Sequence, residues 1–123
     1  MDLENLIRIL VNLPSQFQEV RNKSIITLLK ESGYVKYFDI VNENNIADFL
    51  KKYPEKIKDW LIWSDDKRSL SGWYFIQEKE NSFLLGYLPK DRKVDELQYS
   101  DKILACAIYI KLELEHIRLK YCQ

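Results

Sequence analysis

Apolar residues recur along this chain at two periods. In the first half the spacing is helical: Ile46, Phe49, Leu50 and Tyr53 follow the i, i+3, i+4, i+7 rule of a helix with one buried face. Asn42 stands where an N-cap is needed, with Val41 and Ile46 placed as a hydrophobic staple. Ser15 and Gln18 read as an S-x-x-Q capping box just after Pro14, and Gly33 as the left-handed residue that ends a helix. One helix from Ser15 to Ser32 is therefore expected. Pro54 closes the Asn42 helix or opens the next, and the stretch Pro54 to Trp63 predicts a second short helix with Ile57, Trp60 and Leu61 on one face. Tyr34 to Val41 suits either a strand or an irregular connection.

From Gly72 the period changes. Gly72 to Ile76 and Phe83 to Leu88 are aromatic and aliphatic runs separated by the polar stretch Gln77 to Ser82, the pattern of a β-hairpin. Both runs are apolar on consecutive residues, so both faces of the hairpin are expected to be covered. A charged connection, Pro89 to Tyr99, leads to Ser100, a possible N-cap with Tyr99 and Leu104 as its staple. The last helix then runs to Tyr121. Ile103, Cys106, Ala107, Ile110, Leu114, Ile117 and Tyr121 form its apolar stripe, with Lys111, Glu115 and Arg118 toward water. The fold class that follows is α+β: N-terminal helices and a long C-terminal helix packed on a small antiparallel, hairpin-based sheet, in one domain spanning 1–123.

Composition narrows the function classes. With 123 residues, 46% of them hydrophobic, the chain suits one domain with a real core. Lys plus Arg and Asp plus Glu both number 19, so the basic excess that normally serves nucleic acid or an anionic membrane is missing. An RNP-type motif is also missing, which argues against RNA. The N-terminus opens on acids, and Arg8 interrupts its apolar run, unlike a signal peptide; no segment reaches the roughly 20 apolar residues of a membrane span. A cytoplasmic protein is expected. Cys106 and Cys122 would lie about 24 Å apart along the last helix, too far for a disulfide, and reduced thiols fit that compartment.

Catalytic machinery is not legible. His116 is the one histidine, and no G-x-S-x-G turn or set of zinc ligands accompanies it. It reads as a partly buried helix residue. Cys106 reads as a small core side chain and Cys122 as an exposed thiol at a frayed end. Asp65 and Asp66 lack the alternating ligands of a calcium loop, so the charged loop they form with Lys67 and Arg68 reads as a salt-bridged turn. Arg68 is expected to stack on a tryptophan or fork onto a carboxylate. No cofactor and no metal are expected.

The string Trp60-x-x-Trp63-Ser64, then Arg68, then Ser71-Gly72-Trp73-Tyr74-Phe75, followed by Gly86-Tyr87 and a terminal helix carrying Ala-Cys-Ala, resembles small bacterial immunity proteins of contact-dependent growth inhibition and other polymorphic toxin systems. The resemblance covers the latter half to two thirds of the chain. It implies a single-domain, non-catalytic cytoplasmic inhibitor whose partner is a cognate toxin domain, such as a nuclease. Inhibitors of basic nucleases are often acidic, and the neutral charge here departs from that. An interface of this kind has aromatic anchors and a charged rim. The candidate rim residues are Asp65, Asp66, Lys67 and Arg68, then Glu78 and Glu80 at the hairpin tip, then Asp91, Asp95 and Glu96 in the charged connection. Two readings from other classes stand beside it: a small hydrolase or nucleic-acid-processing enzyme, and a structural adaptor subunit.

Overall fold

The structure is a computed structural model that describes residues 2–20, 22–67, 72–88 and 96–122. Its helices are α1 (Leu3–Val11), α2 (Leu13–Glu19), α3 (Ile25–Ser32), α4 (Tyr34–Tyr37), α5 (Glu43–Lys52), α6 (Lys56–Lys67) and α7 (Lys102–Tyr121), with a 3-10 turn at Phe38–Ile40. Its strands are β1 (Gly72–Lys79), β2 (Ser82–Leu88) and β3 (Leu97–Tyr99), antiparallel in the order β1-β2-β3. The α+β expectation holds. α7 lies between the sheet on one side and a helical layer, mainly α5 and α3, on the other; α6 packs alongside β1 and against α7.

Several local expectations are corrected. The single helix over 15–32 is two helices, because Ser24 caps α3 by accepting a hydrogen bond from Thr27 N (3.1 Å). A side chain that satisfies an orphan N–H competes with a continuous helix at that point. Ser15 is no cap; its hydroxyl donates to Asp59 on α6 (3.2 Å). Tyr34 to Ile40 is helical rather than a strand, and the third strand is Leu97–Tyr99 inside the expected charged connection. The cap of α7 is Asp101, not Ser100, with its carboxylate accepting from Ile103 N and Leu104 N. Elsewhere the boundary signals act as read. Gly33 is left-handed (φ 95°), and Asn42 and Asn45 form a reciprocal capping box above the buried Val41 and Ile46.

The core is built around α7. No residue from Ala105 to Arg118 is exposed, so the helix is enclosed along most of its length. Trp60 is buried, meets the edge of Tyr109 (centroids 6.1 Å apart) and donates its indole N–H to Val11 O (2.9 Å), tying α6 to α1. Phe75 of β1 stacks on Tyr109 (5.4 Å) and on Phe83 of β2 (6.0 Å).

Lys111, Glu115 and Arg118, expected toward water, instead face α4 and the 3-10 turn. Lys111 Nζ donates to Tyr34 Oη and Phe38 O, both at 2.8 Å; Tyr34 donates to Glu115 (2.7 Å); Arg118 forks onto Glu115 (2.7 and 3.0 Å) and covers the Phe38 ring (3.6 Å). Burial, then the Glu115 carboxylate, pushes the Tyr34 hydroxyl well above its usual range. Burial would raise Glu115, but hydrogen bonds from Arg118 and Tyr34 and the Lys111 charge hold it below the usual carboxylate range. Burial also lowers Lys111, against the opposing pull of Glu115.

Two expected outcomes follow from this packing. Trp60→Ala should cost about 3–5 kcal/mol, as for deletion of a buried large aromatic. Trp60→Phe should cost about 1–3 kcal/mol by leaving the Val11 carbonyl unsatisfied in the core. Urea denaturation checks both, and a Trp60→Phe variant as stable as the parent would contradict the role of the indole N–H.

Stability should also fall at alkaline pH. Burial pushes the thiol of Cys106 and the hydroxyls of Tyr109 and Tyr34 above their ordinary values of 9.0 and 10.0, so the folded protein keeps protons that the unfolded chain releases. The stability they contribute is complete below those ordinary values and is lost as pH rises beyond them. The slope is about 1.4 kcal/mol per pH unit for each fully buried group. Lys111, lowered in the fold, acts in the opposite sense below its ordinary value of 10.5. Urea midpoints between pH 7 and 11 should decline from pH 9 upward, less steeply in Tyr109→Phe; a flat profile would contradict the assignment.

Candidate functional site

The sheet sorts its side chains by strand alternation. The cross-strand pairs Trp73 with Tyr87, Phe75 with Leu85 and Gln77 with Phe83 fall on the α7 side, and Tyr74 with Gly86 and Ile76 with Leu84 on the opposite, outer side. Gln98 of β3 joins the outer face beside Leu84. That face was expected to be covered and is covered only in part. Tyr74 is buried and Leu84 half-buried, whereas Ile76 is 40% exposed.

Tyr74 is buried because Gly86 lets it lie down. A Cβ at Gly86 would stand 2.6 Å from Tyr74 Cζ, so the ring occupies the space that any side chain there would need. The Tyr74 hydroxyl then donates to the Glu96 carboxylate. Burial, with Glu96 second, pushes that hydroxyl well above its usual range. Gln98 Nε2 donates to Ser82 Oγ (2.6 Å), and Ser82 lies 3.4 Å from Glu78 Oε1. The result is an apolar patch of Ile76, Leu84 and the Tyr74 ring, bordered by Glu78 and Glu96.

The two lateral edges of the sheet differ. Along β1 the edge is covered by α6, where Ser64 Oγ accepts the Phe75 N–H (2.7 Å) that would otherwise be unpaired. A shallow groove lined by Leu61, Ser64, Asp65, Phe75, Ile76 and Gln77 runs between the two elements. Among the described residues no strand or helix pairs with the outer edge of β3, where Leu97 is 57% exposed.

The expected rim residues separate accordingly. Glu96 borders the outer sheet face beside Tyr74 and Glu78 borders it beside Ser82, nearer the hairpin tip, with Glu80 in the two-residue turn. Asp65 and Asp66 are exposed, but they sit in the last turn of α6 rather than in a loop, because the helix continues through Lys67. Asp65 lines the groove beside Ile76; Asp66 is not among its lining residues. Arg68, Asp91, Asp95 and the Lys67 side chain lie outside the described residues.

A second polar group went unread in the sequence. Glu113 is 2% exposed and accepts the indole N–H of Trp63 (2.8 Å), while Tyr109 Oη and Ser64 lie in the same buried region between α6 and α7. Its signal was positional, since Glu113 falls between Ile110, Leu114 and Ile117 inside the apolar stripe. This cluster is sealed in the core, with Cys106 fully buried nearby and its thiol raised by burial, far from the reactive thiolate form. His116 is half-buried, edge-on to Tyr87 at 6.0 Å. Cys122 is half-buried and packs on the core rather than fraying. Among the described residues, no three His, Cys, Asp or Glu side chains are grouped to hold a metal ion, and no helix is long and apolar enough to cross a membrane.

Gly86→Ala should cost about 1–3 kcal/mol, because the added methyl group must displace the Tyr74 ring. In a Tyr74→Ala background the same change should be nearly free. A double-mutant cycle by thermal melting measures the coupling, and additive costs would show that the ring does not depend on the glycine.

No protein-family model, no curated protein and no solved structure significantly matches this chain.

Proposed function

We propose that this protein is a stoichiometric protein-binding factor of the immunity type, which neutralises a toxin domain by forming a tight complex with it through the outer face of the sheet. The observation that carries the reading is that exposed Ile76, half-buried Leu84 and the Tyr74 ring share one face of the three-stranded sheet with Glu78, Glu96 and Gln98. An apolar centre with a polar, acidic border is the anatomy of a protein interface. The W-S-x-x-x-R-x-x-S-G-W-Y-F string adds the resemblance to immunity proteins. The enzyme reading gains no support from the buried groups: Glu113, Tyr109 and Cys106 face packed side chains rather than a cleft a substrate could enter.

The test is coexpression with the products of adjacent genes, scored by growth and by copurification at a fixed ratio. Glu78→Lys combined with Glu80→Lys should leave melting nearly unchanged, since exposed substitutions usually cost within about 0.5 kcal/mol. The same pair should weaken the complex by about 1 kcal/mol or more, through charge repulsion that slows association. Absence of rescue and of any complex with an adjacent gene product would end the immunity reading.

A further inference from the structure

We draw no further inference here: the strongest candidate, the groove of about 510 Å³ between α1 and α5 beside the Phe49–Tyr53 ring pair, carries none, because Glu4 and Asp48 line it together with Arg8 and Lys52, so that charge does not choose an occupant, and nothing in the structure shows what covers it.

Discussion

The enclosure of α7 is the constraint on which the rest of this fold depends. A helix with no exposed residue between Ala105 and Arg118 must be covered on every side, and its sequence carries five polar or charged side chains in that interval. Burying such groups without partners would cost several kcal/mol each. The surrounding elements are placed so that partners exist: Trp63 of α6 for Glu113, Tyr34 and the Phe38 carbonyl for Lys111, and Tyr34 again for Glu115, which also holds Arg118 over the Phe38 ring. The N-terminal helices are thus the polar lining of the C-terminal helix as well as its apolar cover. α2 ends at Glu19 and α3 begins afresh at Ile25, and the helical turn at Tyr34–Tyr37 brings Tyr34 and Phe38 to α7.

The sheet is small because it has a similar dependence. Three strands cannot bury two faces, and the structure gives the α7 side to aromatic stacking and the outer side to a single tyrosine laid over a glycine. One edge is closed by a serine hydroxyl on α6 that substitutes for a neighbouring strand. That arrangement fixes β1 firmly and leaves the asymmetry at β3. β3 is three residues long and, among the described residues, hydrogen-bonds within the sheet to β2 alone.

Much of this was legible in the sequence where a signal is local. Gly33, Asn42 and the period change at Gly72 each act through residues within one turn or one strand pair, and each marked its element. Some misreadings are local, with Ser24 and Asp101 capping where another boundary was expected; in others a local signal was outbid by a distant one. Ser15 resembled a cap but is held by Asp59, and Lys111, Glu115 and Arg118 resembled a wet face because the residues that cover them, Tyr34 and Phe38, lie more than seventy positions away. β3 was illegible for another reason, since Leu97-Gln98-Tyr99 carries no alternation long enough to register and becomes a strand only by pairing with β2. Of the candidate rim, Glu78 and Glu96 border the outer face of the sheet at different places and Glu80 lies in its turn, while Asp65 and Asp66 lie on a helix.

The distribution of aromatic residues bears most directly on how such a protein could recognise anything. An aromatic-rich composition suggests binding anchors, yet Trp60, Tyr34, Tyr109 and Phe75 are spent in the core, and Trp63 and Trp73 are half-buried against it. On the outer sheet face the one aromatic, Tyr74, is buried and locked by Gly86 and Glu96. What that face has left to offer is aliphatic and modest in area, so hot-spot insertion of an aromatic ring cannot be its main source of affinity. A net charge of zero describes the whole chain and not any one face: Glu78 and Glu96 both border the outer side of the sheet, an arrangement made by strand pairing that composition does not carry.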